Sequence, residues 1–589
     1  MIRKLHKKEE GREQSLTLHL YLLLIVTLFL SGCSQLDTKS KICSVVIEEC
    51  QNVVPDKQSA DVGIDEDVTF VLSTQNGCVV TGTDYEDATL KEADGKMILT
   101  LHQVRYSTVV TLQTTYRKKR TYFVNGGEGE DICEPVDTKV KNTRTEAFVR
   151  EGYIQTGWNT KADGSGTHIG FGSRTNVAEL YAEWEKETDS SLFRYENSGD
   201  GIRITKYTGS ATKCVLPKKI EGRKVRVIDK GAFANQKFDQ FICGENLQII
   251  ENGAFLSTKI SELTLSDNLT KISDKSFLNC SIKILHLNAK RKPVYAGSYF
   301  SAFPDKCERL FSLKGKKMVL YSGSSARYGY DSTTISENFP QYQIVNMGTY
   351  AYTNAKPQLD IIRAAMSEGD ILIEAPEFDA ASQQFCEKRK LDRFFFALVE
   401  EDYKLLEYLD LREYENTFDA FGEYLYEHGK LAEKDYSYLA VNYDDDGNRI
   451  DYPTYNEYGD YTLIRPNSAK DEMHRKIPAD YTTKNITQER IRTLNNELEC
   501  FDEKGITVLF TYAPRNRSSL TEASTEEELE KLELQLRSEL CAPVISKMED
   551  YFFSGIYFYE IDNHLSDEGV ELRTKQIVHD IKEWIKENE

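Results

Sequence analysis

The chain is short of positive charge: 74 lysines and arginines stand against 95 aspartates and glutamates, for a formal charge of −21. A surface of that sign repels phosphate backbones, so nucleic acid is excluded as a partner, and the surplus acid promotes solubility. Metal chemistry is missing too. None of the 12 cysteines forms a C-x-x-C pair and no cysteine/histidine group has zinc-ligand spacing, so neither a metal nor a cofactor is expected. The acidic run from Asn442 to Tyr452 has no twelve-residue loop closed by a glutamate, which makes it a solvated loop and not a calcium site. The apolar run LYLLLIVTLFL, Leu20 to Leu30, falls short of the roughly 20 residues of a comfortable membrane span. What the chain does have is length, since 589 residues exceed the roughly 250–300 that one core serves. Several domains are therefore expected.

Ahead of the apolar run stand Arg3, Lys4, Lys7, Lys8 and Arg12, the basic region of a signal segment. The run leads into LSGC, Leu30 to Cys33, which resembles a bacterial lipobox. That resemblance implies a lipid on Cys33, which becomes the mature N-terminus. The membrane is then a partner through that lipid, and the rest of the chain is extracytoplasmic, anchored at the cell surface. The eleven other cysteines are an odd and scattered set, so at least one thiol stays unpaired; Cys43 and Cys50 are close enough in sequence to bridge.

Residues 34–65 are mixed and polar, as a tether would be. Residues 66–115 carry short β-rich runs, MILTLHQV and STVVTLQTTY, and predict a small β domain. Residues 116–187 alternate aromatics with Gly/Asp turns. Their NGG at Asn125 to Gly127, REGYIQTGWNTKADGSGT from Arg150 and closing LYAEW resemble the Listeria–Bacteroides repeat, which implies an extracellular spacer or adhesive module. Tyr153, Trp158 and Trp184 read as core of that β fold ahead of a binding platform. Over 195–305 the chain repeats itself: Ile228, Ile250 and Ile272 are 22 residues apart, and Phe233, Phe255 and Phe277 follow at the same interval. A second register carries Leu263 and Leu265 on to Leu285 and Leu287. Such a period means a stacked solenoid, and the pattern resembles BspA-type leucine-rich repeats.

From residue 306 to 589 apolar strands (KKMVLYS, YQIVNMG, DILIEAP, ITVLFTYAP, GIYFYEI) alternate with amphipathic helices, the pattern of a parallel sheet covered on both faces. The fold class read from the whole chain is multidomain: N-terminal β modules, a short leucine-rich-repeat solenoid, and a C-terminal three-layer α/β domain with a parallel sheet. In open α/β sheets ligands bind at the carboxyl ends of strands, where Gly323-Ser324-Ser325, Asn346, Gly348, Glu377 and His564 fall. A serine needs a base, and the base an orienting carboxylate. Of the four histidines in this region, His428, His474, His564 and His579, only His564 both follows an expected strand and has a carboxylate beside it.

GSS after the first strand, VNMG after the second and DNHLSDEG before a terminal helix resemble SGNH/GDSL hydrolases, closest to their acyltransferase-like branch. The resemblance implies an SGNH/flavodoxin-like fold, Ser325 as nucleophile, His564 as base, and the amides of Ser325 and Gly348 as most of an oxyanion hole. Two departures matter. The aspartate expected three residues before the histidine is Ile561, leaving Asp562 or Glu560 to orient His564; and an oxyanion asparagine is replaced within APEFD, where ionised Glu377 cannot donate. Arg327, Asn346 and Glu377 are substrate-binding candidates, with Arg327 read first as one half of an ion pair and second as a group for an anionic substrate. The insertion over 378–488, rich in Tyr, Glu and Asp, is expected to form a helical cap over the site. Together these features read as a membrane-anchored serine esterase or O-acyltransferase acting on acylated cell-envelope or extracellular glycan. The competing reading is a non-catalytic surface protein that binds glycan or a protein partner.

Overall fold

A computed structural model describes residues 42–589 except 51, 76–77, 94–95, 117, 137–142, 288–292, 296–297, 299, 380–381, 383–384, 386–389, 434–441, 444–448, 451–454, 468–476, 560 and 589. Cys33, Glu560 and His474 therefore lie outside the described residues. Among those described, no helix is long and apolar enough to cross a membrane. The chain divides into two compact units, Met1–Lys118 and Lys119–Glu589.

Among its described residues the first unit is all β. Ile42–Ile47 pairs with Ser59–Gly63 and Thr108–Val110, while Glu66–Thr74 and Lys96–Val104 form the centre of a second sheet. The expectation of a tether over 34–65 is corrected here. Cys43, Val45 and Ile47 alternate inward with the period of two that a half-buried strand requires, and join Phe70, Leu72, Leu99 and Leu101 in one core. Cys43 faces that core, and no disulfide joins it to Cys50.

The second unit opens with a five-stranded sheet in which Glu179–Lys186 lies between Lys119–Phe123 and Tyr153–Asn159. Trp158 is its fully buried centre, 4.7 Å from the Tyr122 ring and edge-on to Phe148 and Phe171, each at 6.0 Å. Trp184 is only half-buried. Its indole N–H donates to the carbonyls of Val124 and Asn125, and its ring lies so close over Gly127 that a side chain there would overlap it. This accounts for the glycine in NGG.

The repeats stack as the 22-residue period requires. Lys237–Ile242, Lys259–Leu265 and Ser281–Leu287 run parallel, with Phe241 opposite Leu263 and Leu263 opposite Leu285. On the other edge Ile228, Ile250 and Ile272 pair in sequence. Between the edges Phe233, Phe255 and Phe277 form a ladder of nearly parallel rings, 5.3 and then 4.8 Å apart. The next ring, 3.8 Å beyond Phe277, is Phe418.

In the C-terminal domain β1 (Lys317–Tyr321), β2 (Gln343–Asn346), β3 (Ile371–Glu374) and β4 (Thr507–Phe510) form a parallel sheet in the order β2-β1-β3-β4. Both faces are covered, as their unbroken Val/Ile/Leu runs demand. Val319, Tyr321, Val345 and Leu372 pack toward α1 (Ala302–Ser312), α3 (Ala355–Ala365) and α5 (Gln488–Asp502), with α2 reserved for Ser324–Arg327. Met318, Leu320, Ile344 and Ile373 pack on the other side toward the short helix Ser332–Asn338 and the terminal helix Asp567–Asn588. Side-chain caps fix two starts: Asn354 accepts from the Lys356 amide and Thr487 from the Arg490 amide. The expected fifth strand, GIYFYEI, is not one. Its start, Gly555–Tyr557, is a 3₁₀ turn, and Phe558 makes only an isolated bridge to Leu565.

The insertion is also corrected. Its helix α4 (Thr417–Glu433) supplies Phe418 and packs on the last repeat, with Gly422 against the Ile272 carbonyl, so this part caps the solenoid. The segment that reaches the candidate site is the shorter one around Asp460, Tyr461 and Arg465.

Burial raises several carboxyl groups in this unit: Asp402 to about 6, Glu401 to about 7 and Glu377 to about 7, the last also through Asp379. Groups raised on folding stabilise fully below their unfolded values, 3.8 for Asp and 4.5 for Glu, and lose that contribution as pH rises through 6 and 7. The lowered carboxylates, such as Asp360, whose burial is outweighed by Lys356, act only below about pH 4. The thermal midpoint is therefore expected to fall by a few degrees between pH 5.5 and 8 in calorimetry, and a rise would contradict this account.

Candidate active site

The chain leaves β1 where the strand order reverses, and a tight turn there sets the adjacent serines facing different ways. Gly323 is required in that turn, because a side chain would run into Ala351 and approach Glu377 Oε1 within 2.5 Å. Ser324, the first residue of α2, is half-buried, and its Oγ lies 2.8 Å from His564 Nε2. Ser325 is fully buried. Its Oγ meets Ser322 Oγ at 2.9 Å, its amide donates to Glu377 Oε1 at 2.9 Å, and its carbonyl accepts from Arg573 Nη1 at 2.6 Å.

The hydroxyl that meets His564 is that of Ser324 and not that of Ser325, the residue singled out from the sequence. In a strand-to-helix turn neighbouring side chains diverge; here one enters the packed interior and the other faces His564. Nothing in the letters GSS separates the two.

His564 is held by its own turn, its amide donating to the Ile561 carbonyl at 3.2 Å and its carbonyl accepting from Tyr559 at 2.8 Å. Its imidazole stacks on the Tyr328 ring at 4.0 Å and 18°, and Tyr328 leans on Tyr461 at 4.5 Å. Asp562 does not orient it. The two Asp562 carboxylate oxygens accept from Asn516 Nδ2 at 2.8 Å and from the Ile477 amide at 2.7 Å, which fastens the histidine loop to its neighbours. Glu560, the other carboxylate named for the role, lies outside the described residues.

The expected oxyanion amides are both engaged. Gly348 donates to Asn346 Oδ1 at 2.9 Å, and Ser325 to Glu377 as above. Gly348 is a glycine for another reason, since a side chain there would collide with the α2 backbone at Ala326 and Arg327. Of the substrate-binding candidates, Asn346 donates to the Ala326 carbonyl and to Asp460, at 2.9 and 2.8 Å, and so serves the framework. Glu377 bridges the Ser325 amide and Asn563 Nδ2, the latter at 2.7 Å. Arg327 is buried, with its guanidinium 5.7 Å from the Tyr328 ring and 5.5 Å from that of Tyr461.

Three contributors were not anticipated. Tyr328, three residues past Ser325, is the surface on which the His564 imidazole rests. Lys306, buried and donating to the Gly348 carbonyl at 2.6 Å, is pushed well below the normal lysine range by burial and by Arg327. Arg573 ties the terminal helix to the serine turn. The sequence carried a cue only for Tyr328, in the aromatic run ARYGY following the serines.

Among the described residues no group of three or more His, Cys, Asp or Glu side chains is arranged to hold a metal ion. What the site can do is proton transfer from a serine hydroxyl to an imidazole, at the carboxyl edge of a parallel sheet.

Residues 226–358 match the model of the BspA type leucine rich repeat region, in six copies. Such repeats are typical of surface proteins. The parallel ladder of the repeats ends at Ser281–Leu287, and the match runs on across β1 and β2 of the α/β sheet. A solved leucine rich repeat protein from T. pallidum is 21% identical over 23% of this chain and 61% of its own, with a TM-score of 0.14, an overlap too small to carry an argument. The chain thus spans less than two thirds of that protein's length. No curated protein matches the chain.

Proposed function

We propose that this leucine-rich-repeat surface protein carries a serine-dependent acyl-transfer site, an ester hydrolase or O-acyltransferase acting on acylated glycan of the cell envelope or its surroundings. The observation that carries the reading is the 2.8 Å contact between Ser324 Oγ and His564 Nε2 at the switch point of the sheet. With Nε2 as acceptor, His564 takes the hydroxyl proton as Ser324 attacks the ester carbonyl. The same proton goes to the departing alcohol as the tetrahedral intermediate collapses to an acyl-enzyme. Water or an acceptor hydroxyl then repeats the sequence in reverse. Tyr328 keeps the imidazole plane fixed throughout. A lipid on Cys33 and an extracytoplasmic location belong to the same proposal.

Labelling of the full chain by a fluorophosphonate, followed by identification of the modified peptide, tests it; a folded protein that never reacts at Ser324 overturns it. The two carboxylates near His564 separate by a second measurement. Glu560→Gln is expected to lower kcat for a short-chain aryl ester about tenfold or more with KM little changed, as loss of an orienting group would. Asp562→Asn is expected to act mainly on the thermal midpoint, since Asp562 holds Asn516 and Ile477.

A second reading, a binding domain without turnover, is favoured by one observation: the amides of Ser325 and Gly348 are spent on internal acceptors, and one lost oxyanion donor costs about 10²–10³ in rate. Under that reading the fluorophosphonate finds no serine.

A further inference from the structure

Lined by none of the serine-site residues, a cleft of about 820 Å³ opens within the second unit between the five-stranded sheet, the outer face of the repeats and the Lys404–Glu407 turn of the insertion. Its floor is a ladder made by the repeat itself. Gln240 stands opposite Glu262 on the next strand, and Thr264 opposite His286 on the one after. Adjacent strands lie roughly 4.7–4.9 Å apart, close to the length of one pyranose unit in an extended chain. The ladder therefore offers one amide, carboxylate or imidazole group per sugar step, on a rigid base.

The opposite wall supplies the half-buried indole of Trp184 and the pair His168–Glu183. The rings of His168 and His286 meet edge to face at 6.4 Å, and His286 Nδ1 is held by Glu407 at 2.8 Å. Two imidazoles, each fixed by a carboxylate, thus converge from the two walls on one point of the cleft. Ile242, which packs with Ile154 and Val215, also lines the cleft. Carboxylates outnumber cations along the lining, with Asp163, Glu183, Glu185, Glu262 and Glu407 against Arg150 and Lys404. Such a surface repels polyanions and is too polar for an apolar peptide.

We infer that this cleft binds an extended oligosaccharide without acidic groups, neutral or amino-bearing, lying across the repeat strands with one sugar face on Trp184. It is a second site, independent of the serine chemistry. Its occupancy would hold a glycan chain on the same rigid unit that carries the acyl-transfer site.

The test is titration calorimetry of the full chain with cello- and chito-oligosaccharides of four to six sugars, chitosan oligomers, and a heparin hexasaccharide as the polyanionic comparator. Binding of at least one neutral or amino-bearing series is expected, weakened about tenfold in Glu262→Ala and in Gln240→Ala, as loss of one good hydrogen bond implies. Both variants change half-buried positions on the cleft side of the sheet, outside the apolar core, and should keep the wild-type melting temperature. Ser324→Ala should bind as wild type does, which separates this site from the serine. No binding by any neutral or amino-bearing oligomer at millimolar concentration, preference for heparin, or an affinity indifferent to both sheet substitutions would each overturn the inference.

Discussion

Ser324→Ala is expected to abolish fluorophosphonate labelling and to lower kcat/KM for a short-chain aryl ester by a factor on the order of 10⁴ or more. His564→Ala should lose a comparable factor, and the double variant little beyond either, because nucleophile and base act as one unit. Ser325→Ala provides the contrast. Its hydroxyl is sealed from solvent and bonded to Ser322, so labelling should persist at Ser324 and activity should stay within about tenfold of wild type. The opposite pattern, with the label surviving Ser324→Ala and lost in Ser325→Ala, would mean that the turn reorganises in solution and that the geometry at His564 is incidental.

The largest effect on stability is expected at the centre of the phenylalanine ladder. Phe255 is fully buried between Phe233 and Phe277 and is edge-on to Phe241 at 5.1 Å. Removing its ring deletes three aromatic contacts and leaves a void that the neighbouring repeats, fixed by their strand ladders, cannot close. Phe255→Ala should cost about 3–5 kcal/mol in denaturant unfolding, the range for large aromatic truncations in cores. Phe418→Ala, at the end of the ladder and only partly buried, should cost less. Its value is diagnostic. If the insertion helix and the repeats unfold together, both substitutions shift a single transition; if the repeats lose their fold alone, Phe418→Ala splits it in two. A Phe255→Ala cost below about 1 kcal/mol would show that the ladder is not part of the folded state.

The repeats were the most legible part of the chain, because one spacing written three times fixes which side chains superpose: the isoleucine and phenylalanine registers predicted from 22-residue intervals are the registers of the strands and of the ring ladder. Four of the five expected strands of the α/β domain formed, each an apolar run buried on both faces. GIYFYEI failed because a short aromatic run has no periodicity to tell strand from turn. Likewise, ICSVVI alternates, but its polar surroundings hide a six-residue signal and the stretch reads as tether.

At the site, His564 and the turn that faces it were legible from strand-end placement, whereas the choice between two adjacent serines was not. That choice depends on how Gly323 packs on Ala351 and Glu377, contacts between residues far apart in the chain. The same holds for Asp562, Asn346 and Glu377. Their residue types suit chemistry, yet each is consumed in fastening one loop to another, and only the folded arrangement reveals that.

Solenoids commonly vary by copying or deleting whole units, but the place where another unit would join this one is occupied. Phe418 sits where the phenylalanine of the next copy would stack, and it arrives from a helix threaded out of a different domain. Duplication at that end would have to displace the helix and strand its apolar face in water. The number of repeats is therefore a fixed dimension of this molecule, like the length of a strut between two joints, and related chains that keep the insertion should keep the count.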